Sequence, residues 1–236
     1  MDVLKELTRF AEGLDLEDYR LPLRAYHTIR LAIRNLVLPP GQAILEREIS
    51  EALEMSRTPV REALVRLETE GVVKLVPRRG FIVEPIEGKD LAEIYAIIEA
   101  LDGLAIELAT AHVTDPLLDG LESIIRSQQE CLDREDLARW SALDDEFHER
   151  IVRTAGNERL TAVIESYSDQ TYRARLYTIG ERPLPVRSIT EHSAMIAAMR
   201  ARDGRAARML MQSHRYRAQQ EILHALEKLN QETITQ

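Results

Sequence analysis

From Asp90 to the C-terminus the chain is a succession of helical segments, and this pattern constrains the fold more than any other feature. Leu, Ala, Glu and Arg, which favour helices, are abundant. Ten glycines, nine prolines and three phenylalanines among 236 residues argue against a β-rich architecture. We therefore predict that residues 90–236 form an all-α helical bundle. About six helices are expected, over residues 90–112, 115–133, 136–155, 157–179, 186–202 and 204–229.

A different order of elements precedes the bundle, in residues 20–84. Helical spacing of apolar positions predicts one helix that ends at PPG, a second in EREISEALE and a third in SRTPVREALVRLETE. Two runs of β-branched residues, VVKLVP and FIVEP, flank RRG and predict a hairpin. Three helices followed by a hairpin is the order of a winged helix-turn-helix. Residues 85–89 are then a linker, and residues 1–19 are an N-terminal extension, either a short amphipathic helix or a frayed tail.

Charge is distributed unevenly along the chain. The whole chain has a formal net charge of −9 and a pI of about 5.3, a balance that disfavours nucleic acid. Residues 20–84, however, contain eleven basic and eight acidic residues, which gives this part a net charge of +3. Residues 85–236 have a net charge of −8. We therefore expect DNA contact to be confined to the winged helix-turn-helix.

The third predicted helix carries arginines near its start. Thr58 as N-cap, with Pro59 at the first helical position, predicts this start, and Ser56 is an alternative N-cap. Arg57 and Arg61 then lie at the head of the helix, where guanidinium groups suit phosphate oxygens or the edge of guanine. In the alternative interpretation these arginines belong to a solvated face and pair with nearby glutamates, namely Glu62, Glu68 and Glu70.

Three histidines and one aspartate of the helical segments lie on apolar faces. Asp144 and His148 are four residues apart on one helix, whereas His192 and His214 belong to two other helices. A single histidine on an apolar face is usually a satisfied core residue. Four such residues on three helices instead indicate a shared site. Imidazoles with a carboxylate suit Zn²⁺, which is our first choice, and also Ni²⁺ or Mn²⁺.

The segment LEREISEALEMSRTPVREALVRLETEGVVKLVPRRGFIV resembles the winged-helix domain of GntR-family bacterial transcription regulators. The resemblance covers about residues 22–84 and includes SRTPVREAL, the following L-E-x-E-G and the R-G of the wing. It favours DNA contact over the solvated-face alternative. It implies that Thr58 binds phosphate and that the backbone at Gly80 approaches the minor groove. The full set of DNA-contacting residues that it implies is Arg47, Arg57, Thr58, Arg61, Arg79 and Gly80.

Three sequences of the helical part, LDDEFHERIVRTAGN, TEHSAMIAAMRARD and DGRAARMLMQSH, resemble the FCD ligand-binding domain of the FadR-like subgroup of the same family. The resemblance covers about residues 90–216. It implies that an Asp/His/His/His set binds a metal ion, and the matching residues are Asp144, His148, His192 and His214.

One departure from the family pattern concerns the effector. The family often has tyrosine, two residues, arginine and then L-E early in this domain, whereas YAIIEALDG has Ile98 at the arginine position and Asp102 for the glutamate. A cation that would partner an acidic ligand is therefore missing. Arg173 and Arg175 are the remaining candidates for effector binding.

Taken together, these features predict a DNA-binding transcriptional repressor whose operator binding is modulated by a small organic-acid or sugar-acid effector bound near a metal. A homodimer on a palindromic operator is expected, because a two-fold protein matches a two-fold site. A metal-dependent helical-bundle enzyme and an effector-insensitive DNA-binding protein are the alternatives. We expect that the protein is not an enzyme, because the sequence lacks paired E-x-x-H motifs, GxSxG, a P-loop and GxGxxG.

Three features predict a soluble, cytoplasmic protein without a membrane span. The single cysteine, Cys131, excludes an internal disulfide framework. The N-terminal sequence MDVLKELTRF lacks the basic and apolar regions of a signal peptide. The most apolar stretch, IYAIIEALDGLAIELA, contains three acidic residues.

Overall fold

The computed structural model describes residues 3–234, which form ten α-helices, a short 3₁₀ turn and three β-strands. The chain divides into two compact units between Ile86 and Glu87. The first unit contains α1 (Val3–Glu12), α2 (Leu21–Arg34), β1 (Ala43–Ile44), α3 (Glu46–Ala52), α4 (Arg57–Thr69), β2 (Val73–Val76) and β3 (Gly80–Val83). The second unit contains α5 (Gly88–Ala111), α6 (Asp115–Asp133), α7 (Leu137–Thr154), α8 (Glu158–Thr178), the 3₁₀ turn (Ile179–Glu181), α9 (Val186–Arg200) and α10 (Gly204–Ile234). The predicted fold class, a winged helix-turn-helix followed by an all-helical domain, is confirmed.

The first unit contains a three-stranded antiparallel sheet of order β1-β3-β2. The predicted hairpin is present as β2 and β3, in which Leu75 pairs with Phe81. Strand β1 adds a third strand, with Ala43 opposite Ile82. The sequence does not predict β1, because two residues are too few to show an alternating pattern. The core of this unit is apolar and includes Ile29, Leu64, Leu67, Phe81 and Val83.

Helix α1 packs against the core of this unit. Its Leu7 is fully buried, and the hydroxyl of Thr8 donates to the carbonyl oxygen of Ala52 in α3 at 3.2 Å. Two alternatives were expected for residues 1–19, a short helix or a frayed tail, and Val3–Glu12 form the helix. Residues 1 and 2 lie outside the described part of the chain.

The start of α4 differs from the preferred interpretation of the sequence. Ser56, with an extended backbone, occupies the N-cap position, and the helix begins at Arg57 rather than at Pro59. Proline is tolerated throughout the first helical turn, because those N–H groups have no partner within the helix. The position of Pro59 is therefore compatible with more than one first residue of α4. The earlier start places Arg57 in the first turn and Arg61 in the second.

Six α-helices form the second unit, as the sequence predicts, and α6 has the predicted bounds. Helix α10 continues to Ile234, beyond the predicted end at residue 229. Helices α5 and α10 form the most extensive helix pair. The core is apolar and takes side chains from several helices, among them Ile106, Leu121, Phe147, Met195 and Met211. Helices α7, α9 and α10 carry the candidate metal ligands.

Replacing Gly80 by alanine is expected to destabilise the first unit. Gly80 has a φ of +80°, and a Cβ atom there would lie 2.6 Å from the carbonyl oxygen of Ile44. Left-handed strain and this backbone clash together predict a loss of about 1–3 kcal/mol in the free energy of unfolding. The measurement is urea denaturation, with Gly180→Ala as the control. A Cβ atom at Gly180 meets open space, so this change should stay within about 0.5 kcal/mol of wild type. Equal stabilities of the two variants would contradict the prediction.

Candidate metal centre and DNA-binding surface

The four predicted metal ligands lie together inside the helical unit. Helix α7 supplies Asp144 and His148, α9 supplies His192, and α10 supplies His214. One ligand atom from each residue lies within 4.8 Å of the others, and all four side chains are buried. The imidazole centroids are 4.9 to 5.3 Å apart. The described residues therefore form one compact Asp/His₃ group.

Several atoms of this group are buried without a hydrogen-bond partner in the described chain. They are Oδ1 of Asp144, both ring nitrogens of His148 and Nε2 of His192. The distance between His192 Nε2 and Asp144 Oδ1 is 3.6 Å, which is too long for a hydrogen bond. A buried polar atom without a partner costs about 1–3 kcal/mol. Neutral imidazole nitrogens and a carboxylate oxygen that converge in this way fit a divalent metal ion.

Two neighbouring side chains set the tautomers of two of the three imidazoles. Gln128 of α6 lies with Oε1 3.2 Å from Nδ1 of His192, and Glu191 lies with Oε2 2.7 Å from Nδ1 of His214. Both oxygens are acceptors, so each Nδ1 carries the proton and donates it. The lone pair of each imidazole then lies on Nε2, where a metal ion could use it. Outer hydrogen bonds of this kind orient metal ligands.

Burial also favours the ligand form of the histidines. It lowers the pKa of His192 to about 3 and that of His148 well below its usual value. Both imidazoles are therefore neutral near pH 7, which is the form that binds metal. Burial is the largest single influence and would raise the pKa of Asp144, but Arg175 together with His192, His214 and Arg215 outweighs burial, and the pKa is lowered. Asp144 is consequently ionised.

A cavity of about 20 Å³ adjoins the metal ligands Asp144 and His214. Its lining contains four arginines from α8, the segment after the 3₁₀ turn and α10, namely Arg175, Arg182, Arg215 and Arg217. Of the two predicted effector residues, Arg175 lines the cavity, hydrogen-bonds Asp144 and donates to Asp145 Oδ1 at 3.0 Å. Arg173 is buried but is not among the residues described as lining the cavity.

Sequence reasoning missed the other functional candidates around the cavity. Arg217 follows His214 by three residues, on the same face of α10, and this spacing could have indicated it. Glu191 immediately precedes His192 in TEHS. No comparable signal indicates Gln128, because it approaches from α6 only through tertiary packing. The two positions at which the sequence departs from the family pattern have different surroundings. Ile98 is buried, whereas Asp102 accepts a hydrogen bond from Nε of Arg215 at 2.6 Å.

Three of the predicted DNA-contacting residues surround an open groove of about 540 Å³ at the start of α4, namely Arg57, Thr58 and Arg61. Arg61 has 71% of its side chain exposed and lies 3.9 Å from Glu46. Arg47 of α3 is exposed and lies 4.0 Å from Glu51. Such exposed pairs stabilise the free protein little. These arginines are thus available to another anion.

Arg66, further along α4, is not among the residues that line the groove. Arg66 donates to Glu70 at 3.0 Å and lies over the ring of Tyr26, 3.8 Å from its centroid. Its guanidinium therefore serves the internal packing of the first unit. At the wing, Arg79 is exposed between β2 and β3, next to Gly80 with its positive φ.

The winged helix with exposed arginines, joined to a helical domain with a buried Asp/His₃ group, defines a class of two-domain DNA-binding regulator. Residues 21–83 match the family described as bacterial regulatory proteins, gntR family, and residues 93–218 match the FCD domain. The chain belongs to the GntR family of bacterial transcriptional regulators and carries an FCD effector-binding domain.

Individual relatives agree with this assignment. An uncharacterized HTH-type transcriptional regulator in the TAR-I ttuE-ttuC' intergenic region of Agrobacterium vitis is 41% identical over 135 residues, which cover 56% of this chain and 78% of the relative. The HTH-type transcriptional repressor RspR of Escherichia coli is 27% identical over 207 residues, 88% of this chain and 89% of the relative. The structure of E. coli McbR/YncC has the same fold, with a TM-score of 0.75 and 23% identity over 90% of this chain and 99% of the other. The two sequence relatives are both named as HTH-type transcriptional regulators or repressors.

No helix in the described part of the chain has both the length and the apolar composition to cross a membrane.

Proposed function

We propose that this GntR regulator is a repressor whose operator binding responds to a small organic or sugar acid held beside a metal ion in the FCD domain. One observation carries the proposal. Buried oxygen and nitrogen atoms of Asp144, His148 and His192 that have no hydrogen-bond partner in the described chain could bind a metal ion. They converge with His214 beside a cavity lined by arginines. A repressor is favoured because the E. coli relative RspR is named as one.

The DNA-binding part of the proposal assigns a role to six residues of the first unit. Arg57 and Arg61 at the head of α4 enter the major groove, and Thr58 binds a phosphate. Arg47 of α3 contacts the adjacent backbone. At the wing, Arg79 approaches the minor groove, where Gly80 leaves room for the DNA backbone. A homodimer presents two such surfaces to a palindromic operator. Because its target is a bacterial operator, we place the regulator in the cytoplasm.

The metal part of the proposal assigns Zn²⁺ to the Asp/His₃ group, with Ni²⁺ or Mn²⁺ as the other suitable ions. Asp144 offers Oδ1 while its Oδ2 remains bonded to Arg175. His148, His192 and His214 each offer a neutral nitrogen. The ion would supply a positive charge and a free coordination position for an oxygen of the effector.

A thermal-shift screen tests the effector assignment. Zinc-loaded protein is heated with a panel of organic and sugar acids, since a specific ligand stabilises the folded state. At least one acid should raise Tm in wild type and fail to do so in the His148→Ala variant. A panel that leaves Tm unchanged throughout would favour the effector-insensitive alternative.

Replacing Glu191 by glutamine is expected to weaken zinc binding by about 10–100-fold, the usual effect of changing an outer partner of a metal ligand. The change removes the charge that accepts from Nδ1 of His214. Competition with a zinc chelator measures the affinity. Glu122→Gln is the matched control, because Glu122 pairs with Arg200 at an exposed site of the same domain. Equal zinc affinities of the two variants would show that Glu191 does not position His214.

A further inference from the structure

Val65 is an exposed apolar residue in the middle of helix α4. The residue is 46% exposed, whereas the apolar side chains of α4 that pack into the core lie on the other side of the helix, namely Val60, Ala63, Leu64 and Leu67. Valine is also one of the poorer helix-forming residues. Neither core packing nor helix propensity therefore accounts for a valine at this position.

Val65 continues the stripe of proposed DNA contacts along α4. Arg57, Arg61 and Val65 follow one another at a spacing of four residues, so their side chains lie on one face of the helix. All three line the open groove of about 540 Å³ together with Thr58. Val65 is the one apolar side chain among the residues described as lining this groove. A duplex bound by the two arginines would therefore cover Val65.

The charges along the groove indicate which part of the DNA lies against Val65. Glu62 is exposed, lines the groove and precedes Val65 by three residues on the same face of α4. Its carboxylate repels phosphate groups, so the DNA backbone is disfavoured beside Val65. A base edge carries no net charge. Among the groups that bases present in the major groove, the C5-methyl group of thymine is the apolar one.

We propose that Val65 is a specificity-determining residue that packs against the methyl group of one thymine in each operator half-site. This inference rests on the DNA-binding surface of the proposed function and adds an apolar contact to it. A rise of about 1.5 Å per residue places Val65 about 6 Å beyond Arg61 along α4. Successive base pairs are about 3.4 Å apart. For a helix that follows the groove, the thymine thus lies within about two base pairs of the base that Arg61 contacts.

Replacing single thymines by uracil tests the inference, because uracil lacks only the methyl group. The duplex is selected from a random pool, and fluorescence anisotropy at constant salt measures the affinity of each substituted duplex. For wild type, one replacement in one half-site should lower the affinity about fourfold, the value expected when one apolar carbon is no longer buried. Val65→Ala should lower the affinity for the thymine duplex about 16-fold, since both subunits lose the contact. Uracil should then make no further difference.

Two further variants separate the methyl contact from a general effect on the protein. Val65→Thr should keep a preference for thymine, because threonine also presents a methyl group. Val186→Ala changes a similarly exposed valine, 54% exposed at the start of α9 in the helical unit, and should distinguish thymine from uracil as wild type does. Alanine forms helices better than valine, so circular dichroism should show that Val65→Ala keeps its helices.

Each contrary result has a separate meaning. Equal affinity of wild type for the thymine and uracil duplexes at every substituted position would overturn the inference and leave the arginine contacts intact. A Val65→Ala variant that distinguishes thymine from uracil as well as wild type does would also overturn it, because another residue would then contact the methyl group. Wild-type protein that selects no duplex from the pool would instead contradict the DNA-binding surface of the proposed function.

Discussion

Replacing His192 by alanine should reduce the zinc content of the purified protein from about one ion per chain to a small fraction of that value. The imidazole is fully buried, its Nε2 lies beside Asp144, and no other described side chain donates in its place. Losing a ligand should cost more than the roughly 10–100-fold that follows loss of an outer partner. Elemental analysis after gel filtration measures the metal content.

The control is His224→Ala, which removes an exposed histidine of α10 outside the Asp/His₃ group. Circular dichroism should show that both variants keep their helices. Because bound metal stabilises the folded state by about 4 kcal/mol at a thousand times Kd, a chelator should lower Tm in wild type and in His224→Ala but not in His192→Ala. Full zinc occupancy in His192→Ala would contradict the site.

Replacing Arg61 by alanine should cost about 1–3 kcal/mol of DNA-binding free energy and relax the preference at one base pair of each half-site, if Arg61 contacts guanine. Its exposed guanidinium can exchange the weak pair with Glu46 for a bidentate contact. Replacing Arg47 should instead weaken all sequences alike and reduce the salt dependence, as expected of a phosphate contact.

Raising the salt concentration should weaken DNA binding by wild type more than replacing Arg61 does. A protein that makes 6–10 phosphate contacts loses about 10³–10⁵-fold in affinity between 50 and 200 mM salt. Fluorescence anisotropy on a duplex selected from a random pool measures both effects. Arg205→Ala, an exposed change in the acidic helical domain, is the control and should behave as wild type does. Unchanged binding in Arg47→Ala, Arg57→Ala and Arg61→Ala would contradict the proposed DNA surface.

The helices and the four candidate ligands could be predicted because their signals are local. Asp144 and His148 share one face at a spacing of four, and His192 and His214 are flanked by apolar residues at helical spacing. The sequence could not show how the charges around them pair. Asp102 meets Arg215 across 113 positions and Arg175 meets Asp144 across 31, so tertiary packing alone decides these partners.

Tertiary packing also explains why the sequence did not indicate Arg182 as a residue of the effector cavity. The departure at Ile98 drew attention to a missing cation, and the helical position of Arg175 made it a candidate substitute. Arg182, in contrast, lies in an irregular segment without periodicity, between the 3₁₀ turn and α9. Only the structure shows that Arg175 already has carboxylate partners and that no described carboxylate pairs with Arg182.

The most direct test is an anisotropy titration of the selected duplex with zinc-loaded protein, with and without an acid identified by the thermal-shift screen. A ligand that distinguishes two states of a regulator typically contributes 1–3 kcal/mol of coupling. We expect the acid to weaken DNA binding by about 5–150-fold in wild type and to have no effect in His192→Ala. DNA affinity that is the same with and without the bound acid in wild type would contradict the proposed function and identify an effector-insensitive DNA-binding protein.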